Sequence, residues 1–232
     1  MGGGVVVRMV PRVDSDIVAE LAEAGVATVH EAGGTALLDP GIRPIQEGKR
    51  IAGSAVTVSC APGDNIMVHA AVEVIEPGDL LVVATTSPST HGMFGELLAT
   101  SVMAKGCVGV VVDAGVRDVS DLRRMGLPVW SRAIHAAGTV KATPGSVNVP
   151  VVCGGATVGP GDVVVADDDG VAVVERDRAL EVLKAVRRRL KTEEEVRARL
   201  ATGELGVDLY GFREQLENLG VSWIDDPGQN PR

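Results

Sequence analysis

GELLATSVMAKGCVGVVVDAGVRD, residues 95–118, sets the reading of the whole chain. Its first half is helix-forming from Gly95 to a stop at Gly106, and Val108 to Val112 is a β-branched run suited to a buried strand. Asp113-Ala114-Gly115 then reads as a tight turn that delivers Arg117 and Asp118. The first residues of a helix carry backbone N–H groups without internal partners, at the positive end of the helix dipole. Gly95, Glu96, Leu97 and Leu98 therefore offer a place for a carboxylate or enolate oxygen. Arg117 adds a planar two-pronged grip on a carboxylate, and Asp118 a hard oxygen ligand for a divalent cation. Together they suit a small anionic keto acid. The plainer reading of the same residues is that Asp118 caps a short helix ending at Gly126, while Arg117 pairs with a surface carboxylate.

Upstream, Asp14 or Ser15 caps a helix with Ile17, Val18, Leu21 and Ala24 on one face, stopped by Gly25. His30-Glu31 lacks the second histidine of a zinc HExxH pattern, because position 34 is glycine, and reads as structural. Ile51 to Val58 is a strand. Pro62-Gly63-Asp64-Asn65 turns into a helix over 66–75, which puts Asn65 and His69 on one face. Pro77-Gly78-Asp79 launches a strand over 80–85, and Pro160-Gly161-Asp162 launches another over 163–166. The small polar segment 86–94 reads as a loop able to close over a ligand.

Downstream, residues 136–148 read as a surface loop carrying Lys141, a candidate Schiff-base lysine, phosphate contact or solvated charge. Asp167-Asp168-Asp169-Gly170 joins two apolar runs as a hairpin turn rather than a metal site. From Asp177 the composition becomes charged and helical. Thr192 is placed to cap a second helix opening with Glu193, Glu194 and Glu195, and a last helix runs over 209–219.

Across 232 residues there are 22 basic and 31 acidic side chains, a net charge of -9, and 2% aromatics. That balance argues against a nucleic-acid partner. Cys60, Cys107 and Cys153 are odd in number and widely spaced, and read as buried free thiols. No apolar run reaches membrane-spanning length and no signal-peptide pattern opens the chain, so the expectation is a cytoplasmic protein with no membrane partner.

The motifs TVHEAGG, PGDN with His69, GELLATS, DAGVRD, PVWSRAIHAAGTVKATPGSVNVPVVCGG and PGDVVVADDDGVAVV, in this order, resemble the RraA-like superfamily. The likeness is to its 4-hydroxy-4-methyl-2-oxoglutarate / 4-carboxy-4-hydroxy-2-oxoadipate aldolases. It implies an α/β fold with a three-layer β/β/α core like the swivelling phosphohistidine-type domain over residues 1–176. A helical C-terminal arm over 177–232 would contribute to the interface of a trimer or hexamer. It further implies that the amides of Gly95, Glu96, Leu97 and Leu98 receive the pyruvyl group and that Arg117 grips the keto acid. Asp118 would hold Mg²⁺ or Mn²⁺, with Glu193 from a neighbouring subunit, or Glu194 or Glu195, completing the metal environment. Glu96 stands where many members carry Asp. Asn65, His69 and Lys141 fall where these aldolases bind phosphate. The implied chemistry is retro-aldol cleavage through pyruvate enolate, with oxaloacetate decarboxylation as a side activity and no organic cofactor, in the breakdown of aromatic acids such as gallate and protocatechuate. Two alternatives stand beside it: a non-catalytic regulator that binds an endoribonuclease, as the name-giving members do, and a Schiff-base aldolase using Lys141.

Overall fold

The computed structural model describes residues 3–225. They form two compact units that divide between Arg187 and Arg188. Helices α1 (Ser15–Ala24) and α2 (Val26–Gly33) lead to short strands β1 (Ala36–Leu37) and β2 (Arg43–Pro44). There follow β3 (Ile51–Cys60), α3 (Ile66–Ala71), β4 (Asp79–Thr85), β5 (Gly92–Phe94), α4 (Glu96–Ala104), β6 (Gly109–Val116), α5 (Val119–Met125) and β7 (Val129–Ile134). Then come β8 (Ser146–Val147), the hairpin β9 (Val151–Cys153) and β10 (Ala156–Val158), and the hairpin β11 (Val163–Asp167) and β12 (Gly170–Val174). The helix α6 (Ala179–Ala201) contains the division, and α7 (Gly206–Leu209) and α8 (Phe212–Asn218) lie beyond it.

One mixed sheet runs in the order β1-β12-β11-β3-β4-β6-β7-β2, with β5 beside β6 and β8 beside β3. β3, β4, β6 and β7 are parallel neighbours, and helices occupy their crossovers as parallel connection requires. Both faces of these strands are covered, which is why they read as near-continuous Val/Leu runs. Leu81, Val83, Val110 and Val112 pack on one face with Val68 of α3, Leu98 and Val102 of α4, and Leu122 of α5. Leu80, Val82, Val111 and Trp130 pack on the other with Val151, Cys153 and Val158 of the β9–β10 hairpin. A third cluster joins Val163, Val165, Ala172 and Val174 to Leu21, Val29, Val182 and Leu183, so α1, α2 and the first turns of α6 cover the β11–β12 hairpin. Each fully buried Leu or Val contributes about 1.5–3 kcal/mol.

Several expected boundaries move, each for a physical reason. Asp113-Ala114-Gly115 is not a turn but part of β6, because β5 pairs with Gly115 and Val116 and β7 stays alongside, giving the backbone partners it would lose in a turn. The turn comes three residues later, at Asp118. Segment 86–94 is likewise not all loop, since Gly92–Phe94 is β5. The helix expected over 66–75 is α3 followed by a 3₁₀ turn at Val72–Val74. Thr192 does not cap a second helix: α6 runs unbroken through 193–195, and the Thr192 hydroxyl donates back to the Arg188 carbonyl. The helix expected over 209–219 is split by Gly211, whose φ of 69° is left-handed.

The expected hairpin turn stands, with Asp167 opposite Gly170. Its Asp167 carboxylate accepts from the amides of Val26 and Asp169, and its carbonyl from Trp130 Nε1. His30 Nδ1 lies 2.6 Å from the Thr35 carbonyl, in keeping with a structural role. The three cysteines are buried free thiols, and burial pushes Cys60 up to about 12 and Cys107 up to about 11. No helix among the described residues is long and apolar enough to cross a membrane.

The most buried ion pair is structural. Asp79, 1% exposed, takes Arg12 Nε and a terminal guanidinium nitrogen at 2.8 Å each, and the Glu76 amide at 2.8 Å. Removing the guanidinium leaves a buried carboxylate short of its counter-charge. Arg12→Ala is therefore expected to cost about 3 kcal/mol, read as a lowered urea midpoint with an unchanged m-value.

Candidate active site

β6 carries the chain past the end of β4 and delivers Arg117 and Asp118 to the start of α4. Arg117 N–H donates to the Phe94 carbonyl at 2.9 Å, which fixes the two segments side by side. Asp118 has φ 56°, a left-handed conformation that Asp tolerates better than most residues. Its side chain makes no cap to α5, so the plain capping reading fails. Instead Oδ2 accepts the Glu96 amide at 3.2 Å and lies 3.5 Å from Arg117 Nε. A Cβ at Gly95 would meet Asp118 Oδ2, so a side chain there would displace that carboxylate. Phe94 O and Met93 O, the acceptors one turn back, are taken by Arg117 N and Asn65 Nδ2. Among the described residues no acceptor meets the amides of Leu97 and Leu98, so the helix start keeps two directed donors.

These groups open on a cavity of about 200 Å³ whose wall includes Gly95, Leu97, Leu98, Arg117 and Asp118. Asn65, His69 and Lys141 line the same cavity. Residues from four separated segments thus meet where the sequence reading placed a keto acid and an anion. Glu96 is absent from this wall; it lines a neighbouring cavity of about 470 Å³ together with Asp121, Arg124 and the shared Leu97, Arg117 and Asp118. The Arg117–Asp118 pair therefore stands between two cavities. Glu193 belongs to the second unit, in mid-helix rather than at a helix start, and pairs with Arg189 at 2.6 Å.

Among the described residues no three His, Cys, Asp or Glu side chains converge as a ready-made metal cage. A single carboxylate is compatible with a cation such as Mg²⁺, which takes one or two carboxylates and fills its other positions with water and substrate oxygens. Asp118 suits it: the side chain is 39% exposed, and no hydrogen bond among the described residues engages Oδ1.

The second half of the cavity owes its form to a residue the sequence reading passed over as turn grammar. Asp64, 2% exposed, accepts the Ile66 amide at 3.0 Å and the amides of Ala142 and Thr143 at 2.8 and 2.6 Å. Burial alone would raise its pKa, but these backbone bonds together hold it below the usual carboxylate range. Its contribution to stability is thus present above the unfolded-state pKa and lost as pH falls through the lowered folded value. Asn65 is 6% exposed; Nδ2 donates to the Met93 carbonyl at 3.0 Å, and Oδ1 is buried with no partner. His69 has its pKa lowered, first by burial and then by the charge of Lys141.

A cavity at strand and helix ends, with free helix-start amides, one Arg–Asp pair and a His–Lys side, defines a small-anion site on an α/β scaffold. Comparison with known proteins gives the family. Residues 18–173 match the RraA-like model, described as Aldolase/RraA, and the chain belongs to that family. It is 30% identical over 178 residues, 77% of this chain and 82% of the other, to a protein of Halalkalibacterium halodurans named "Putative 4-hydroxy-4-methyl-2-oxoglutarate aldolase". Among solved structures it resembles Streptomyces coelicolor RraAS2, titled an unusual member of the RNase ES inhibitor RraA protein family. That likeness has a TM-score of 0.73 and 32% identity, over 82% of this chain and 99% of that one. The RNA-processing inhibitor RraA from Thermus thermophilis matches with a TM-score of 0.59 and 27% identity, over 64% of this chain and 90% of that one.

Burial first, and the charge of Lys141 second, hold the His69 pKa below its ordinary value and disfavour the protonated ring. A bound oxyanion favours the charged form. Sulfate, whose own charge is constant in this range, is expected to bind more tightly as pH falls from 7 to 5. Calorimetric titration across that range, with His69→Gln as the variant that loses the slope, checks it.

Proposed function

We propose that this protein is a divalent-metal-dependent pyruvate aldolase that cleaves branched 4-hydroxy-2-oxo acids. The reading names 4-carboxy-4-hydroxy-2-oxoadipate, giving pyruvate and oxaloacetate, and 4-hydroxy-4-methyl-2-oxoglutarate, giving two pyruvates. The observation that carries it is the meeting of two uncommitted α4 amides with Arg117 and Asp118 on one cavity. The aldolase names among its relatives point the same way.

In retro-aldol cleavage the C3–C4 electrons move into the pyruvyl group, and negative charge develops on its C2 oxygen. In this reading the Leu97 and Leu98 amides would meet that charge, and pre-set donors cost no reorganisation at the moment of reaction. Arg117 holds the substrate carboxylate by paired N–H donors, which fixes the C3–C4 bond in orientation. Glu96, which lines the adjoining cavity with Arg117 and Asp118, would hold the water that takes the C4 hydroxyl proton. Asp118 would hold the Mg²⁺ or Mn²⁺, with Glu193 of an adjoining subunit as a further carboxylate. When bound, the ion supplies Lewis-acid stabilisation of developing oxygen charge. Asn65, His69 and Lys141 form the side for a second oxyanion, phosphate among them. Oxaloacetate decarboxylation passes through the same enolate and is included in the reading. So are the β/β/α swivelling architecture and a trimeric or hexameric assembly.

A second reading is favoured by the likeness to proteins titled as RNase inhibitors: a regulator that binds an endoribonuclease without turnover. A Lys141 Schiff-base aldolase is a third, which borohydride trapping with pyruvate tests. Pyruvate release from 4-carboxy-4-hydroxy-2-oxoadipate, coupled to lactate dehydrogenase, separates them. Turnover is expected to stop on chelation and in Asp118→Ala. Gly95→Ala, which drives a methyl group into Asp118, is expected to lower kcat/KM roughly 100-fold. Arg117→Ala is expected to lose aldol cleavage and oxaloacetate decarboxylation together. Inhibition of an endoribonuclease by a chain that releases no pyruvate would replace this reading with the second.

A further inference from the structure

Pro-Gly-Asp occurs three times, and the three carboxylates behave differently. In each, the Asp amide closes the turn onto the carbonyl three residues back: Asp64 to Ala61, Asp79 to Glu76, Asp162 to Gly159. Asp79 and Asp162 then also accept the amide of that residue, Glu76 at 2.8 Å and Gly159 at 2.7 Å, so each carboxylate helps close its own turn. Asp64 makes no such bond. It turns outward from its turn and takes the amides of Ala142 and Thr143, 78 and 79 residues away. The neighbouring backbone completes the clamp: Val140 N–H donates to Gly63 O at 2.9 Å, and Asn65 N–H to Val140 O at 3.2 Å. Lys141 is thus held on both flanks, between Val140 and Ala142, and its segment otherwise has little regular structure over 136–145. Clamped there, Lys141 shares the cavity wall with Asn65 and His69.

We propose that Asp64 is a positioning residue, which sets Lys141 against His69 and so builds the oxyanion side of the cavity. This deepens the proposed function, since the oxyanion is either free phosphate or a carboxylate of the substrate. An Asp-to-amide clamp suits the task because a carboxylate collects two adjacent N–H groups at one oxygen, which no neutral side chain does as strongly. The charge that matters to the ligand is then carried by Lys141 while Asp64 stays buried, compensated by amides.

Three proteins test this: Asp64→Asn, Lys141→Ala and the double variant, each confirmed folded by circular dichroism. The His69 ring is titrated by NMR, and inorganic phosphate affinity and pyruvate release are measured alongside. Lys141→Ala is expected to raise the His69 pKa, because a neighbouring positive charge is gone. Asp64→Asn is expected to raise it as well, with Lys141 still present, and to weaken phosphate binding at least tenfold. The double variant should be no worse than Lys141→Ala. A substrate carboxylate as the true occupant would appear as a raised KM with kcat little changed and no phosphate effect in any protein. Should Asp64→Asn fail to fold, Thr143→Pro removes one clamping donor from the loop side and leaves Asp64 on Ile66. An Asp64→Asn or Thr143→Pro protein with an unchanged His69 titration overturns the proposal, as does a double variant whose losses add. Absence of pyruvate release from the wild type would overturn the aldolase reading but leave the His69 readout intact.

Discussion

The placement of the Asp118 carboxylate against the first turn of α4 is the constraint on which the site depends. The charged hydrogen bond to the Glu96 amide offsets part of the cost of the left-handed backbone, which Asp tolerates better than most residues. For that contact to form, α4 must begin at a residue without a side chain, and Gly95 does so. β6 must also run to Val116 before turning, which is possible because β5 takes over as its neighbour where the β4 pairing ends. Gly115 lets those backbones close, since a Cβ there would strike the carbonyls of Thr90 and His91. The two valine-rich faces of the sheet hold β6 in place, so Arg117 and Asp118 follow directly from the end of a buried strand.

The cavity is electrically two-sided. On one side the Arg117–Asp118 pair is close to neutral overall and directional, because the guanidinium and the α4 amides donate while the carboxylate accepts. On the other side Lys141 shares the wall with an imidazole whose protonated form is disfavoured by burial and by that lysine. An anion entering there meets a full charge and a proton-ready ring. One entering at α4 meets oriented dipoles. A ligand with two anionic ends is therefore aligned before any chemistry begins.

Much of this was readable from the chain because periodicity and turn chemistry are local. The helix-to-strand passage over 95–112 and the Asp-Gly hairpin follow from residues adjacent in sequence. What escaped was non-local. Asp113-Ala114-Gly115 has turn composition, and only the arrival of β5 and β7 on either side keeps it extended. Thr192 followed by three glutamates has cap composition, yet the helix already running from Ala179 offers its backbone a better partner than a new start would. Asp64 looks identical to Asp79 and Asp162 in its Pro-Gly-Asp setting. The difference lies in where its carboxylate finds donors, and those sit nearly eighty residues away.

Membership in a family whose relatives bear both catalytic and regulatory names leaves the choice to the site. A module that works by binding a protein needs an exposed, complementary face. It has no use for two helix-start amides left without acceptors, or for a buried Asn65 oxygen without a donor, each of which costs free energy unless a ligand or water meets it. Nor does a binding face need an arginine and an aspartate held beside those amides by a left-handed residue and a glycine with no room for a methyl group. Such strain and such unsatisfied donors are explicable when the occupant is small, anionic and changes its charge distribution while bound. The proposal of catalysis thus rests on polar groups that the protein's own partners leave unmet, and not on the shared fold, which both kinds of relative possess.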